Sequence, residues 1–110
     1  DLKNLTSSKA IYKQIDTSEL RSELVEKLKQ QKEFSVETVL DHGLLAGFAF
    51  SAAAGEAGFV PMDKKEAEQI LPEFTEVFSN EKIGKVGHNL KATLLALKDF
   101  GIEIPFKEVN

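Results

Sequence analysis

The chain has 110 residues, of which 42% are hydrophobic and 29% charged, and it contains no cysteine. This composition is typical of one folded domain and is too apolar for a disordered segment. Eighteen acidic residues against fourteen basic ones give a net charge of −4, whereas a domain that grips nucleic acid by itself usually has a basic face. We therefore expect no tight DNA binding by the isolated chain, and the lack of cysteine excludes disulfides and thiolate metal sites.

The first third of the chain predicts a linker, a strand and a helix. Residues 1–9 are polar and without periodicity, which indicates a linker or a ragged end, and we assign residues 10–110 to a single domain. β-Forming side chains predict a short edge strand over Ala10–Ile15. A capping pattern at Asp16–Glu19, followed by leucines at helical spacing, predicts a helix over Thr17–Gln31.

The middle of the chain predicts an antiparallel meander of three strands. Alternating apolar residues favour strands at 34–40 and 44–51, and a third strand follows at 57–62. The composition of Asp41-His42-Gly43 is that of a tight hairpin turn. Pro61 closes the meander, because proline cannot donate to a sheet ladder.

The last part of the chain predicts further helices and a strand. Asp63, with Glu66 three residues later, has the pattern of a helix N-cap. Pro72 lies inside the helical pattern, so we expect a kink or two consecutive short helices. The remaining predicted elements are a very short strand at Lys85–Gly87, a helix capped by Asn89 and ending at Gly101, and a candidate edge strand at Ile102–Phe106.

The order of these elements predicts the fold class. A meander followed by helix, strand and helix is the ribonuclease-H-like order, in which the strand after the meander runs parallel to the first meander strand through a right-handed crossover. Periodicity alone indicates only a layered α/β domain. We predict an α/β, ribonuclease-H-like, three-layer domain whose mixed sheet combines the antiparallel meander with a parallel strand and carries packed helices.

Three collinear stretches carry a family resemblance: IDTSELRSELVEKLKQQKEF at 15–34, LLAGFAFSAAAGEAGFVPM at 44–62 and KVGHNLKATLLALKDFGIEI at 85–104. Together they cover almost the whole chain, and the third is the most specific. They are similar to the 3′→5′ exonuclease domain of bacterial DNA polymerase I, a family A DNA polymerase. The resemblance implies that the chain is a fragment of a longer polymerase.

The resemblance also implies a site. Members of this family remove the 3′-terminal nucleotide with two divalent metal ions, which clustered carboxylates hold. The family places an Asp-x-Glu pair on the first meander strand, an Asp on the Asn-Leu-Lys helix and a further Asp beyond it. This chain has Glu37, Val39 and Thr93 at the first three positions, and the fourth lies past Asn110. In a shifted register Ser35 takes the Asp position, so one carboxylate of the pair survives in either case.

Each of these residues also has an ordinary structural interpretation. Glu37 is a remnant metal ligand at most, and a solvent-facing or lysine-paired strand carboxylate explains it better. Val39 and Thr93 are interpreted as packing residues. Asn89 resembles the substrate-side asparagine of the family, yet a helix cap explains it equally well.

The histidines and phenylalanines do not point to a second site. His42 and His88 have no further ligand at a metal-binding spacing, so we expect surface or cap roles and no zinc. The eight phenylalanines are spread over core positions, which does not make a base-stacking platform.

The resemblance favours a catalytically inactive exonuclease-type domain that packs beside the adjacent polymerase domain of the same chain in DNA replication or repair. DNA would be reached only through the full-length enzyme, and no cofactor is expected unless residual activity uses Mg²⁺ or Mn²⁺. Two alternatives stay open: an active or weakly active metal-dependent 3′→5′ exonuclease that uses Glu37 with Asp41 or other acids, and a stand-alone regulatory module. No apolar run has the length of a membrane span, and we expect a cytoplasmic monomer.

Overall fold

One mixed sheet organises the chain in the computed structural model, which describes residues 12–52, 57–87 and 89–104. The elements in chain order are β1 (Lys13–Gln14), α1 (Ser18–Lys29), β2 (Glu33–Asp41), β3 (Leu44–Ser51), β4 (Ala57–Pro61), α2 (Lys64–Ile70), a 3₁₀ helix (Leu71–Phe74), α3 (Thr75–Phe78), β5 (Gly84–Val86) and α4 (Leu90–Lys98). None of the described helices is long and apolar enough to cross a membrane.

The five strands lie in the order β1-β4-β3-β2-β5. The strands β2, β3 and β4 form the predicted antiparallel meander, in which Val36 faces Phe50 and Phe50 faces Gly58. The last strand, β5, pairs in parallel with β2, as the predicted crossover requires. The first strand, β1, pairs in parallel with β4 at the edge of the sheet. The predicted mixed α/β sheet is confirmed.

A two-residue turn connects β2 and β3. Asp41 pairs with Leu44, and His42 and Gly43 both have positive φ angles, of 53° and 80°. Two consecutive positive φ angles are what a type I′ hairpin turn requires. The predicted tight turn is confirmed.

Side-chain caps and a proline set the helix boundaries. Thr17 caps α1, because its Oγ1 accepts a hydrogen bond of 3.1 Å from the Leu20 amide. Asp63 and Glu66 form the full capping box of α2, with bonds of 2.8 and 3.1 Å. Pro72 lies in the 3₁₀ helix, which separates α2 from α3. The predicted interruption is confirmed as two short α-helices on either side of a 3₁₀ turn.

Two strand predictions do not hold over their full length. Within the described part of Ala10–Ile15, only Lys13 and Gln14 form a strand, and residues 10 and 11 lie outside the described ranges. The chain leaves the sheet after one more hydrogen bond, from the Ile15 amide to the Phe59 carbonyl at 2.9 Å, because Asp16 and Thr17 already lead into α1.

The predicted edge strand at Ile102–Phe106 is wrong for residues 102–104, which are not in a strand, and residues 105 and 106 lie outside the described ranges. Gly101, with φ of 80°, ends α4 in a Schellman motif, since its amide donates to the Lys98 carbonyl at 2.9 Å and the Ile102 amide donates to the Leu97 carbonyl at 3.1 Å. Ile102 and Ile104 then bury their side chains in the core.

The core lies between one face of the sheet and the helices. Buried residues of α1, α2, the 3₁₀ helix, α3 and α4 all belong to one apolar cluster with the inward side chains of the sheet. At its centre Phe50 of β3 stacks on Phe74 with ring centroids 5.2 Å apart, and Phe34 and Phe78 lie against Phe50 at 6.0 Å each. The described helices therefore all lie on one face of the sheet, and a helix layer on the other face, which the predicted three-layer arrangement requires, is not found within the described ranges.

A second, smaller apolar cluster lies on the other face of the sheet. It consists of Val39, Ala49 and Phe59, with the half-buried Tyr12 and Ala46 beside them. Six of the eight phenylalanines are buried and Phe100 is half-buried, whereas Phe106 lies outside the described residues. The predicted core role of the phenylalanines is confirmed for those described.

We predict that Phe74→Ala lowers the free energy of unfolding by about 3–5 kcal/mol, because it leaves a cavity between Phe50 and Phe78. Chemical denaturation measures this loss. Phe100→Ala is the matched control, since Phe100 only borders the core, and we expect a smaller effect there. A loss below about 1 kcal/mol for Phe74→Ala would contradict the packing described above.

Candidate functional site

The residues singled out by the sequence lie around the second half of β2 and the first turns of α4. The short strand β5 ends at Val86, which pairs with Ser35, so β2 continues beyond its neighbour. Gly87 makes the turn away from the sheet with φ of 154°, and a Cβ at this position would lie 2.5 Å from the Val36 carbonyl oxygen. Only glycine fits this approach, which brings the start of α4 against β2.

Thr93 fills the gap that β5 leaves beside β2. Its Oγ1 accepts a hydrogen bond from the Thr38 amide at 3.1 Å and a second from the Thr38 hydroxyl at 3.0 Å. Both lone pairs of the Thr93 hydroxyl oxygen are therefore in use, and Thr93 is only 1% exposed. The side chain replaces a strand carbonyl as the acceptor for β2, which is more than the packing role that the sequence suggested.

Glu37 and Val39 lie on the other face of β2. Side chains alternate along a strand, and Phe34 and Val36 belong to the helix-side core whereas Val39 belongs to the second cluster. Val39 is 2% exposed. Glu37 is half-buried opposite Ala49, and none of the ion pairs or hydrogen bonds found within the described ranges involves it. The predicted pairing with a lysine is therefore not seen there.

Asn89 occupies the N-cap position of α4 without acting as a side-chain cap. Its backbone is left-handed, with φ of 56° and ψ of 42°, and its side chain makes no capping hydrogen bond. The predicted side-chain cap is wrong, because a capping side chain needs an extended backbone at this position. A substrate-side role for Asn89 stays a prediction, and His88 lies outside the described residues.

Asp41 and His42 lie together at the tip of the hairpin. His42 Nδ1 is 2.8 Å from Asp41 Oδ1, and the His42 side chain is 92% exposed. Such an exposed pair contributes little stability. The surface role expected of His42 agrees with this placement.

The donor set does not fit divalent metal ions. Among the residues described, no group of three or more His, Cys, Asp or Glu side chains could hold a metal ion. Hard cations take several carboxylate or carbonyl oxygens, whereas the positions compared above offer a single carboxylate, a valine and a threonine whose oxygen is already bonded twice. Within the described ranges, the arrangement links β2 to α4 and offers one of the carboxylates that a two-metal centre needs.

Lys85 is a titratable residue that the sequence analysis did not single out as functional. It lies beside Phe34 in the sheet and is 4% exposed. Its Nζ donates a hydrogen bond of 2.6 Å to the Asn80 carbonyl, and burial lowers its pKa to about 8. The signal that could have revealed a buried lysine is its place in the predicted strand opposite Phe34, where its side chain faces the core.

Residues 12–106 match the model of a protein family described as 3′-5′ exonuclease. The chain belongs to this family. The exonuclease part of the resemblance is thereby confirmed, while its polymerase I part stays a prediction.

Solved structures agree on the fold of this exonuclease-family chain. The catalytic core of RRP6 from Trypanosoma brucei superposes with a TM-score of 0.70 at 23% identity, over 89% of this chain and 28% of that one. RNase D from Trypanosoma brucei gives 0.71 at 15% identity, over 86% and 36%. RNase D from Escherichia coli, an exoribonuclease involved in structured RNA processing, gives 0.66 at 16% identity, over 89% and 26%. The chain thus spans about a quarter to a third of these proteins.

We predict that Thr93→Val destabilises the exonuclease-family domain by about 1–3 kcal/mol, because the Thr38 amide and hydroxyl lose their acceptor while remaining partly buried. Thr75→Val in α3 is the matched control. Because Thr75 is exposed, this substitution should change the unfolding free energy by no more than about 0.5 kcal/mol. Urea denaturation of both variants measures the difference. Equal losses for the two variants would show that the link between β2 and α4 contributes nothing.

We also predict that stability rises with pH above neutrality through Lys85. Its pKa is about 8 in the folded protein against 10.5 as the ordinary value, so the unfolded chain binds more protons between these pH values. Unfolding free energy should therefore increase by about 2 kcal/mol from pH 7 to pH 9.5.

Lys85→Met removes this titration and keeps the length of the side chain, so it serves as the reference for all other groups that titrate. The unfolding free energy of the wild type minus that of the variant should therefore rise over the same pH range. A constant difference would mean that Lys85 keeps its ordinary pKa in the folded state.

Proposed function

We propose that this exonuclease-family domain does not hydrolyse nucleic acid and serves as a structural module beside a polymerase domain of the same polypeptide. The observation that carries the proposal is the Thr93 hydroxyl, which accepts both Thr38 bonds at the position where the resemblance implies a carboxylate. Because the Thr93 hydroxyl oxygen already accepts the hydrogen bonds of β2, its role is structural.

Charge explains why such a domain would be inactive. Two divalent ions bring four positive charges, which clustered carboxylates must offset. The aligned positions in this chain supply Glu37 alone, since Val39 and Thr93 are neutral. Each 1.36 kcal/mol of lost transition-state stabilisation lowers the rate tenfold, so the loss of several ligands should abolish turnover.

The alternative of an improvised site at Glu37 and Asp41 is disfavoured by distance. The two residues are four positions apart on one strand, which separates their Cα atoms by up to about 13 Å, and the strand has an irregularity between Val39 and Leu40. Carboxylates that hold two metal ions about 3.5–4 Å apart must lie much closer. Asp41 also pairs with His42 at the exposed hairpin tip.

The polymerase context of the proposal rests on the three stretches that resemble DNA polymerase I. The solved structures that share the fold include RNase D proteins and one complex with RNA. RNA is therefore tested together with DNA as a substrate in the experiment below.

We predict that the purified chain, supplied with Mg²⁺ or Mn²⁺, does not shorten 5′-labelled single-stranded oligonucleotides of DNA or RNA. Denaturing gel electrophoresis over hours detects the removal of single nucleotides. Glu37→Ala and Asp41→Ala should behave like the wild type, because neither residue belongs to a working site.

Metal-dependent shortening would contradict the proposal if Glu37→Ala abolishes it and an unrelated surface substitution, Glu26→Ala, does not. Shortening that all variants share equally indicates a copurifying nuclease, which a further purification step removes. Shortening that only Asp41→Ala abolishes would support the improvised site.

A further inference from the structure

A cavity of about 350 Å³ lies at the opposite end of the sheet from Thr38 and Thr93. It is bounded by α1, by the end of β3 and by the starts of β4 and β1. Ser51 pairs with Ser35 at this end, whereas Thr38 pairs with Phe48 further along β2. The cavity is thus separate from the exonuclease-family site, and nothing in the proposed function uses it.

The floor of the cavity is apolar and firmly packed. Ile15, Leu28 and Phe50 line it from the buried core, and the half-buried Leu20 and Leu24 form the wall on α1. Sites for small molecules are typically concave, apolar and roughly 300–1,000 Å³ in volume, with a few polar groups at defined places. The cavity has this size and composition.

Its mouth carries three charged side chains. Glu23 and Lys27 line it from α1, and Lys13 lines it from β1. Among the described lining residues, two lysines and one glutamate leave an excess of one positive charge. The exposed Lys13 takes part in none of the ion pairs found within the described ranges. The described part of the mouth is therefore positive in a chain whose net charge is −4.

We propose that this cavity binds a small amphipathic anion, with an aliphatic tail of about eight carbons against Leu24 and Phe50 and a carboxylate beside Lys13. Burial of an aliphatic tail provides most of the binding free energy. Lys13 selects a negatively charged head group but contributes less binding free energy than the tail, because an exposed ion pair is worth at most about 1 kcal/mol.

The experiment compares two probes that share a tail and differ in the charge of the head group. Octanoate and heptylammonium, which have the same seven-carbon tail, are titrated separately into isotopically labelled protein, and amide shifts are followed by NMR. Octanoate should cause saturable shifts in α1 and around Ser51 and Gly58, with a dissociation constant of about 1 mM. Heptylammonium should bind at least about threefold more weakly.

Two variants locate the site. Lys13→Glu should weaken octanoate binding about 3- to 10-fold and strengthen heptylammonium binding, while the dispersion of the spectrum reports intact folding. Leu24→Trp should fill the cavity and abolish both. Lys91→Glu, an exposed charge reversal on α4, is the control that should leave octanoate binding unchanged.

The proposal is overturned by any of three results: octanoate shifts that do not saturate, equal binding of the two probes, or an effect of Lys13→Glu no larger than that of Lys91→Glu. Because Lys13→Glu changes only an exposed side chain, it keeps the test decisive even if Leu24→Trp does not fold. A nuclease activity of the chain, present or absent, would not alter any of these outcomes.

Discussion

The packing of Phe34, Phe50, Phe74 and Phe78 is the constraint on which the rest of the molecule depends. The rings join two central strands to the helical segment around Pro72, with centroid distances of 5.2 to 6.3 Å. Once Phe34 enters this cluster, the two-residue period of a strand decides the direction of the side chains on β2 as far as Val39, after which the register with β3 shifts. Thr38 must then face α4, whereas Glu37 and Val39 must face the other side of the sheet.

The direction of the side chains on β2 decides which residues meet at the candidate site. An exonuclease-family chain needs acidic side chains near the end of β2, yet the side chain that reaches β2 from α4 is a threonine with both acceptor positions occupied. The short β5 leaves the Thr38 amide without a strand partner on that side, and an unpaired, partly buried amide is costly. The same atom cannot complete the sheet and also hold a cation. In the function proposed above, this contact keeps the family fold at a position where the resemblance implies a metal ligand.

Much of the fold was predictable because its signals are local. Capping residues at Asp63, the hairpin at His42-Gly43 and the break at Pro72 each impose one backbone geometry on a few neighbours. The predictions failed where a distant contact decides the outcome. Ile102 and Ile104 have the composition of a strand but are drawn into the core by the Schellman turn, and Asn89 adopts a left-handed backbone that no local pattern required. The bond between Thr38 and Thr93 joins residues 55 positions apart, so the sequence could indicate that position 93 has no carboxylate, but it could not indicate that Thr93 contacts Thr38.

The burial of Thr93 also bears on how such a domain could change over evolutionary time. An aspartate at this position would lie 1% exposed with one amide and one hydroxyl as partners, and a lone buried carboxylate is expensive unless a cation neutralises it. A glutamate in place of Val39 would likewise enter the apolar cluster with Phe59. For the inactive domain proposed above, each acidic substitution taken singly would lower stability before a second one could restore a metal site. A return to nuclease chemistry would then pass through less stable intermediates, so the proposed loss of activity would act as a ratchet.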